Sequence, residues 1–102
     1  MPYSNAILEG VDLTGVNLVN PSFFKAILRS NLVDPNNPAD DVPTKLVNAT
    51  LLGADFQQAL LTNVIATGAN FSPSATRVTD FSLAVINNVN FSGANFTGAN
   101  LF

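Results

Sequence analysis

The 102-residue sequence predicts an all-β solenoid, a chain that turns a corner every five residues and stacks its turns into one short rod. Three observations predict it. Large apolar residues recur at a spacing of five: Tyr3, Leu8, Leu13, Leu18, Phe23, Leu28 and Val33 in one register, then Leu46, Leu51, Phe56, Leu61, Phe71, Phe81, Ile86, Phe91, Phe96 and Leu101 in a second, with Ala66 and Thr76 filling its gaps. Two residues before these centres the side chain is small, as at Ala26, Ala54, Ala69, Ala84 and Ala94. All six glycines (Gly10, Gly15, Gly53, Gly68, Gly93 and Gly98) fall two residues after a centre, in a slot otherwise held by Asn5, Asn20, Asn48, Asn63 and Asn88.

Each position of the unit has a physical reason. A step of five on an α-helix rotates successive centres by about 140°, so they form no stripe. In a straight strand an odd step sends them to opposite faces. A chain that bends once per unit keeps every centre on the same side. Gly and Asn best tolerate left-handed backbone, which makes their slot the corner. The centre and the small residue two before it face inward, and the other three positions face out. Asp or Asn just before the centre, as at Asp12, Asp55, Asn70, Asp80 and Asn95, suits a short side chain that satisfies corner backbone groups.

The units Ala54-Asp55-Phe56-Gln57-Gln58, Ala94-Asn95-Phe96-Thr97-Gly98 and Ala99-Asn100-Leu101 resemble the A-(D/N)-(L/F)-x-x tandem repeat of the pentapeptide-repeat family. The resemblance implies a right-handed quadrilateral parallel β-helix with four units, or 20 residues, per coil. Nineteen units then make about five coils and a rod of roughly 22 Å at the usual inter-strand spacing. On that count residues 1–102 are a single domain. Asn70-Phe71-Ser72 should lie on Asn90-Phe91-Ser92, giving interior stacks Leu51–Phe71–Phe91 and Leu61–Phe81–Leu101. Packing should thin at Thr76, Ala66, Pro21 and Asn31, with Thr76 bonding the backbone.

Residues 34–45 break the register. Val33 and Leu46 are thirteen apart, so about eight residues are inserted, and Pro35, Pro38 and Pro43 mark them as a protruding loop. Asp34, Asn36, Asn37, Asp40 and Asp41 do not match the spacing of a calcium-binding loop. They read as a solvated acidic loop and a candidate protein contact.

Composition removes whole classes of chemistry. The chain has no Cys and no His, hence no disulfide, no thiolate or imidazole metal ligand and no Cys or His nucleophile or base. No two carboxylates converge on a cleft, no phosphate-binding glycine loop appears, and neither a metal nor a cofactor is expected. The four cations are scattered and net charge is −3, which argues against direct nucleic-acid binding. No apolar run is long enough for a membrane span. No signal peptide is visible, and the compartment stays unknown: the reading is a soluble protein, cytoplasmic or, as the family resemblance implies, in the thylakoid lumen if a targeting segment has been removed.

Function must then lie on the outside. Ile7 and Ile27 should stack, as should Ile65 and Val85, while Phe24 and Leu52 become neighbours across a simple insertion. Leu101 and Phe102 should leave an apolar coil end open to an end-to-end homodimer or to another partner. These features fit a non-catalytic scaffold for protein–protein interaction. The family resemblance adds cyanobacteria and chloroplasts as the setting, and a subunit of a photosynthetic-type assembly as the role. Its alternative is an acidic DNA mimic that protects gyrase, for which three net negative charges are sparse.

Overall fold

Left-handed backbone marks the corners. The computed structural model describes residues 3–30, 36–37 and 41–101. Among them fourteen residues have positive φ, from 55° to 74°, and all lie two after a centre. Six are the glycines and five are asparagines, while Lys25, Gln58 and Leu83 hold the remaining three corners.

Between corners the chain is extended for about three residues, too short for long strands. Four segments form regular strands: β1 (Asn17–Val19), β2 (Thr50–Leu52), β3 (Leu60–Thr62) and β4 (Val85–Asn87). β1 pairs parallel with β2, and β3 with β4. The other sides meet through single parallel bridges. No helix occurs among the described residues.

The pairings define four faces. Ile7, Ile27, Leu60 and Val85 follow one another up the first; Asp12, Lys45, Ile65 and Asn90 up the second. Asn17, Thr50, Asn70 and Asn95 form the third, and Ser22, Asp55, Asp80 and Asn100 the fourth. Each face lies five residues beyond the last, and Ile7 meets Ile27 after four of them, so the coil is quadrilateral.

The interior is a set of columns. On the Ser22 face, Tyr3, Phe23, Phe56 and Phe81 stack nearly parallel, with ring centroids 5.1, 4.8 and 4.8 Å apart. That is the ladder spacing itself. Leu46, Leu51, Leu61 and Phe71 are likewise sealed from solvent, and alanines at 26, 49, 54, 59 and 69 fill the space at the corners. Each large side chain sealed in this way contributes about 1.5–3 kcal/mol. Ala66 and Pro21 are buried without a gap in the burial pattern, so the thinner packing expected there is not found.

The pairing offsets correct the simple count. Across the second excursion partners are 25 apart, as in Leu60 with Val85 and Asn70 with Asn95. Asn70-Phe71-Ser72 therefore does not lie on Asn90-Phe91-Ser92. Phe71 stacks on Phe96 at 5.1 Å, and Leu61 lies under Ile86 rather than Phe81. Residues 73–77 leave the coil, and Thr76 is exposed instead of being a centre. The reason is Pro73. It occupies a corner slot, and its ring fixes φ near −65°, so no left-handed corner forms there.

Across the first excursion partners are 33 apart: Asp12 meets Lys45 and Leu18 meets Leu51. The surplus over 20 is thirteen residues, not eight, and Leu46 takes the place directly after Leu28 in the core order. Ser30, in the corner slot after Leu28, is not left-handed. The expected centre Val33 and the neighbouring Asn31 lie outside the described residues.

A buried threonine closes each excursion. The Thr44 hydroxyl lies 2.8 Å from the Leu8 carbonyl and 2.9 Å from that of Arg29, and accepts the Gly10 amide at 2.9 Å. Thr79 donates to the Ser72 carbonyl at 3.3 Å. Both occupy the small-residue slot two before a centre, and both are fully buried. The backbone-bonding threonine is thus Thr79, whereas Thr76 accepts the Asn20 side-chain amide on the outside.

The second excursion is therefore expected to be dispensable. Deleting residues 73–77 and changing Val78→Gly, which supplies the missing corner, should give a chain with an unchanged far-ultraviolet circular dichroism spectrum and a cooperative thermal transition. Loss of that transition would show that the excursion, rather than the coil, holds this end together.

Candidate interaction surface

Side chains just before each centre point outward, and the coil stacks them into columns. On the Ile7 face that column is Ile7, Ile27, Leu60 and Val85, one apolar residue per coil. Ile7 is 68% exposed and Val85 52%, with Ile27 and Leu60 half-buried between them. The stacking of Ile7 on Ile27 agrees with the sequence expectation. Ile65 and Val85 do not stack, because the offset of 25 puts Ile65 under Asn90.

Leu83 adds to this face. It sits at the corner that opens it, at φ 61°, and is 76% exposed. Left-handed backbone costs a side chain with a Cβ roughly 1 kcal/mol or more. Leucine there also holds a large apolar group in water. Its corner column is otherwise polar: Asn5, Lys25 and Gln58. Sequence reasoning passed over Leu83, although a leucine in the Gly/Asn slot was the visible signal.

The residues proposed from sequence are not brought together. Phe24 is half-buried with the Lys25 amine 5.3 Å from its ring centroid, and its own coil neighbour is Gln57. Leu52 pairs instead with Val19 on the third face. The expected Phe24–Leu52 contact fails because the insertion is thirteen residues long. Asn36 and Asn37 are exposed, Asp41 is half-buried, and Asp34, Asp40 and Phe102 lie outside the described residues. Leu101 is 56% exposed on the last coil.

The carboxylates are dispersed. Glu9 pairs with Arg29 beside the Ile7 face. Asp12, on the second face, accepts the Thr14 hydroxyl and amide, which hold its carboxyl below the ordinary value. Asp55 and Asp80 are neighbours on the fourth face. Each spends Oδ1 on the residue two ahead: the Gln57 amide at 2.9 Å, and the Ser82 amide at 2.8 Å with the Ser82 hydroxyl. Contrary to the expectation that no two carboxylates converge on a cleft, the offset of 25 sets them side by side, and they line a cavity of about 320 Å³ with Ser22, Gln57, Arg77 and Val78. The Ser22 hydroxyl is bonded to that of Ser4, so no carboxylate is set to activate it. Among the described residues no cluster of three metal-ligating side chains forms. No helix among them is long and apolar enough to cross a membrane.

The second excursion is tied down over a glycine. Asn20 reaches across Gly53 to accept the Ser74 hydroxyl at 2.6 Å and donate to Thr76 at 3.2 Å. A Cβ on Gly53 would stand 2.5 Å from the Asn20 oxygen, so this corner needs glycine for space as well as for its φ of 64°.

Comparison with known proteins agrees with this geometry. A family model described as pentapeptide repeats matches in eight copies over residues 44–72 and 79–101, just over half of the chain, and skips the second excursion. No curated protein matches. Among solved structures, a pentapeptide repeat protein from the Arabidopsis thaliana thylakoid lumen is 29% identical, with a TM-score of 0.50 over 96% of this chain and 66% of its own. The pentapeptide repeat protein Rfr23 from the cyanobacterium Cyanothece 51142 is 18% identical, with a TM-score of 0.29 over 92% of this chain and 86% of its own. HetL from Nostoc sp. strain PCC 7120, involved in heterocyst differentiation regulation, is 19% identical, with a TM-score of 0.26 over 95% of this chain and 58% of its own. The chain thus spans less than two thirds of the length of the Arabidopsis protein and of HetL.

The strain at Leu83 can be measured. Leu83→Asn should raise the thermal midpoint of the isolated chain by several degrees, in line with about 1 kcal/mol of relieved strain. An unchanged or lowered midpoint would mean that Leu83 is held by packing within its own chain.

Proposed function

Because the chain belongs to the pentapeptide-repeat family and builds its right-handed quadrilateral β-helix, we propose that it is a non-catalytic scaffold that docks against protein through the Ile7 face. The observation that carries this reading is the unbroken column Ile7–Ile27–Leu60–Val85, flanked by the strained and exposed Leu83. Scattered surface apolars need no explanation, but a contiguous stripe does. Family members are generally non-enzymatic, and the polar cavity on the adjacent Ser22 face pairs no nucleophile with a base among the described residues.

The placement of acids counts against a duplex mimic. Such a mimic needs a continuous anionic track matched to phosphate spacing. Among the described residues Glu9 is neutralised by Arg29 and Asp12 faces Lys45, which leaves Asp55 and Asp80 as adjoining acids on the four faces. The likeness to a thylakoid-lumen protein supports a photosynthetic-type assembly as the first place to look for partners.

Comparative capture from native extract tests the reading. Tagged wild-type chain and the outward control Asn95→Lys should retain the same proteins, and Leu60→Lys or Val85→Lys should lose them while keeping the wild-type circular dichroism spectrum. Equal retention by stripe and control variants would overturn it.

A further inference from the structure

We propose that the Ile7 face is the interface of a symmetric homodimer in which two rods lie antiparallel, face against face. This deepens the docking reading by naming the occupant as a second copy of this chain. Ile7, Leu83 and Val85 are largely exposed, and Ile27 and Leu60 lie half-buried between them, so the five form a contiguous apolar patch of the kind that marks an interface. A standard interface buries roughly 800 Å² per partner, more than these five side chains provide. The polar groups on either side supply the rest: Glu9, Arg29, Thr62 and Asn87 along one flank, Asn5, Lys25 and Gln58 along the other. An apolar centre inside a polar rim is the anatomy of a specific interface.

Charge selects both the partner and its direction. The charged groups of this face, Glu9, Arg29 and Lys25, all belong to its first two coils, whereas the last two present Thr62, Asn87 and Gln58. A two-fold axis across the middle of the stripe, perpendicular to the rod, lays the charged half of each copy on the neutral half of the other. Ile7 then falls on Val85, Ile27 on Leu60, Leu83 on Asn5, the Glu9–Arg29 pair on Asn87 and Thr62, and Lys25 on Gln58. An axis along the rod would instead set Lys25 against the other copy's Arg29, twice, and like charges brought together in this way are strongly disfavoured. The face is self-complementary in the antiparallel sense only, as an isologous contact requires.

The absence of cysteine makes a clean test possible. Light scattering of the wild-type chain across concentration should show a dimer. Separately prepared Ile27→Cys and Leu60→Cys chains, mixed and treated with a short bis-maleimide, should give the mixed 27–60 product in excess over 27–27 and 60–60. Leu60→Asp should weaken dimerisation by about tenfold or more, as expected of a central apolar contact, with an unchanged circular dichroism spectrum. Three outcomes would overturn the proposal: a monomer at every concentration, predominant 27–27 and 60–60 products, or a dimer that survives Leu60→Asp and is trapped through Leu101→Cys at the coil end. A monomer whose stripe variants still lose captured proteins would overturn the dimer and leave the docking reading in place.

Discussion

The backbone ladder sets the distance between coils at about 4.8 Å, and everything else in this molecule inherits that distance. Aromatic rings on successive coils meet at 4.8 Å because their Cα atoms are already that far apart. Offset or parallel ring packing at this separation is favourable beyond the area it buries. The same spacing holds outside, where side chains have no interior to enter. A residue type repeated on one face becomes a column, and a column becomes a surface property. Interior stability and exterior character are therefore two consequences of one constraint.

The ladder can form only where the chain turns on time. Left-handed backbone every five residues supplies the turn, and the two corner slots that lack it, Ser30 and Pro73, are where the chain leaves the coil. The returns are made at Thr44 and Thr79, which put a hydroxyl where the coil normally has a methyl group. Each hydroxyl bonds a carbonyl of the departing strand, Arg29 or Ser72, in addition to the ladder amide of Gly10 or Gly53 that the carbonyl already accepts. A buried hydroxyl left unpaired would be destabilising by about 1–3 kcal/mol, so the small-residue slot tolerates a threonine at these two points because a carbonyl lies within its reach.

Much of this was legible in the sequence, and the failures have one cause. The period, the inward centres and the glycine corners follow from five-residue spacing alone, and the Ile7–Ile27 contact from that spacing together with the four-unit coil that the family resemblance implies. The excursion at 73–77 did not show because it is itself five residues long. It leaves the period intact, and Thr76 falls in register while standing outside the coil. Counting cannot detect such a loop; only the chemistry of Pro73 in a slot that requires positive φ can. The first excursion misled in the same way, since thirteen surplus residues exceed the eight that spacing implied by one whole unit. Leu83 was missed for a related reason: the corner slot had been read for the residues that suit it and not for one that does not.

The excursions also decide what the outside looks like. On a uniform count of 20, Leu60 would have met Asp80 and Ile27 would have met Val47, and no face would carry four apolar residues in line. The offsets of 33 and 25 bring Leu60 over Ile27 and Val85 over Leu60 instead. The stripe is therefore a product of where the chain leaves the coil, not of the repeat. The repeat guarantees a rod, and any rod of this kind has four faces that are interchangeable in backbone. What distinguishes the Ile7 face is the phase at which each coil re-enters, so the binding character of this chain is written in its interruptions.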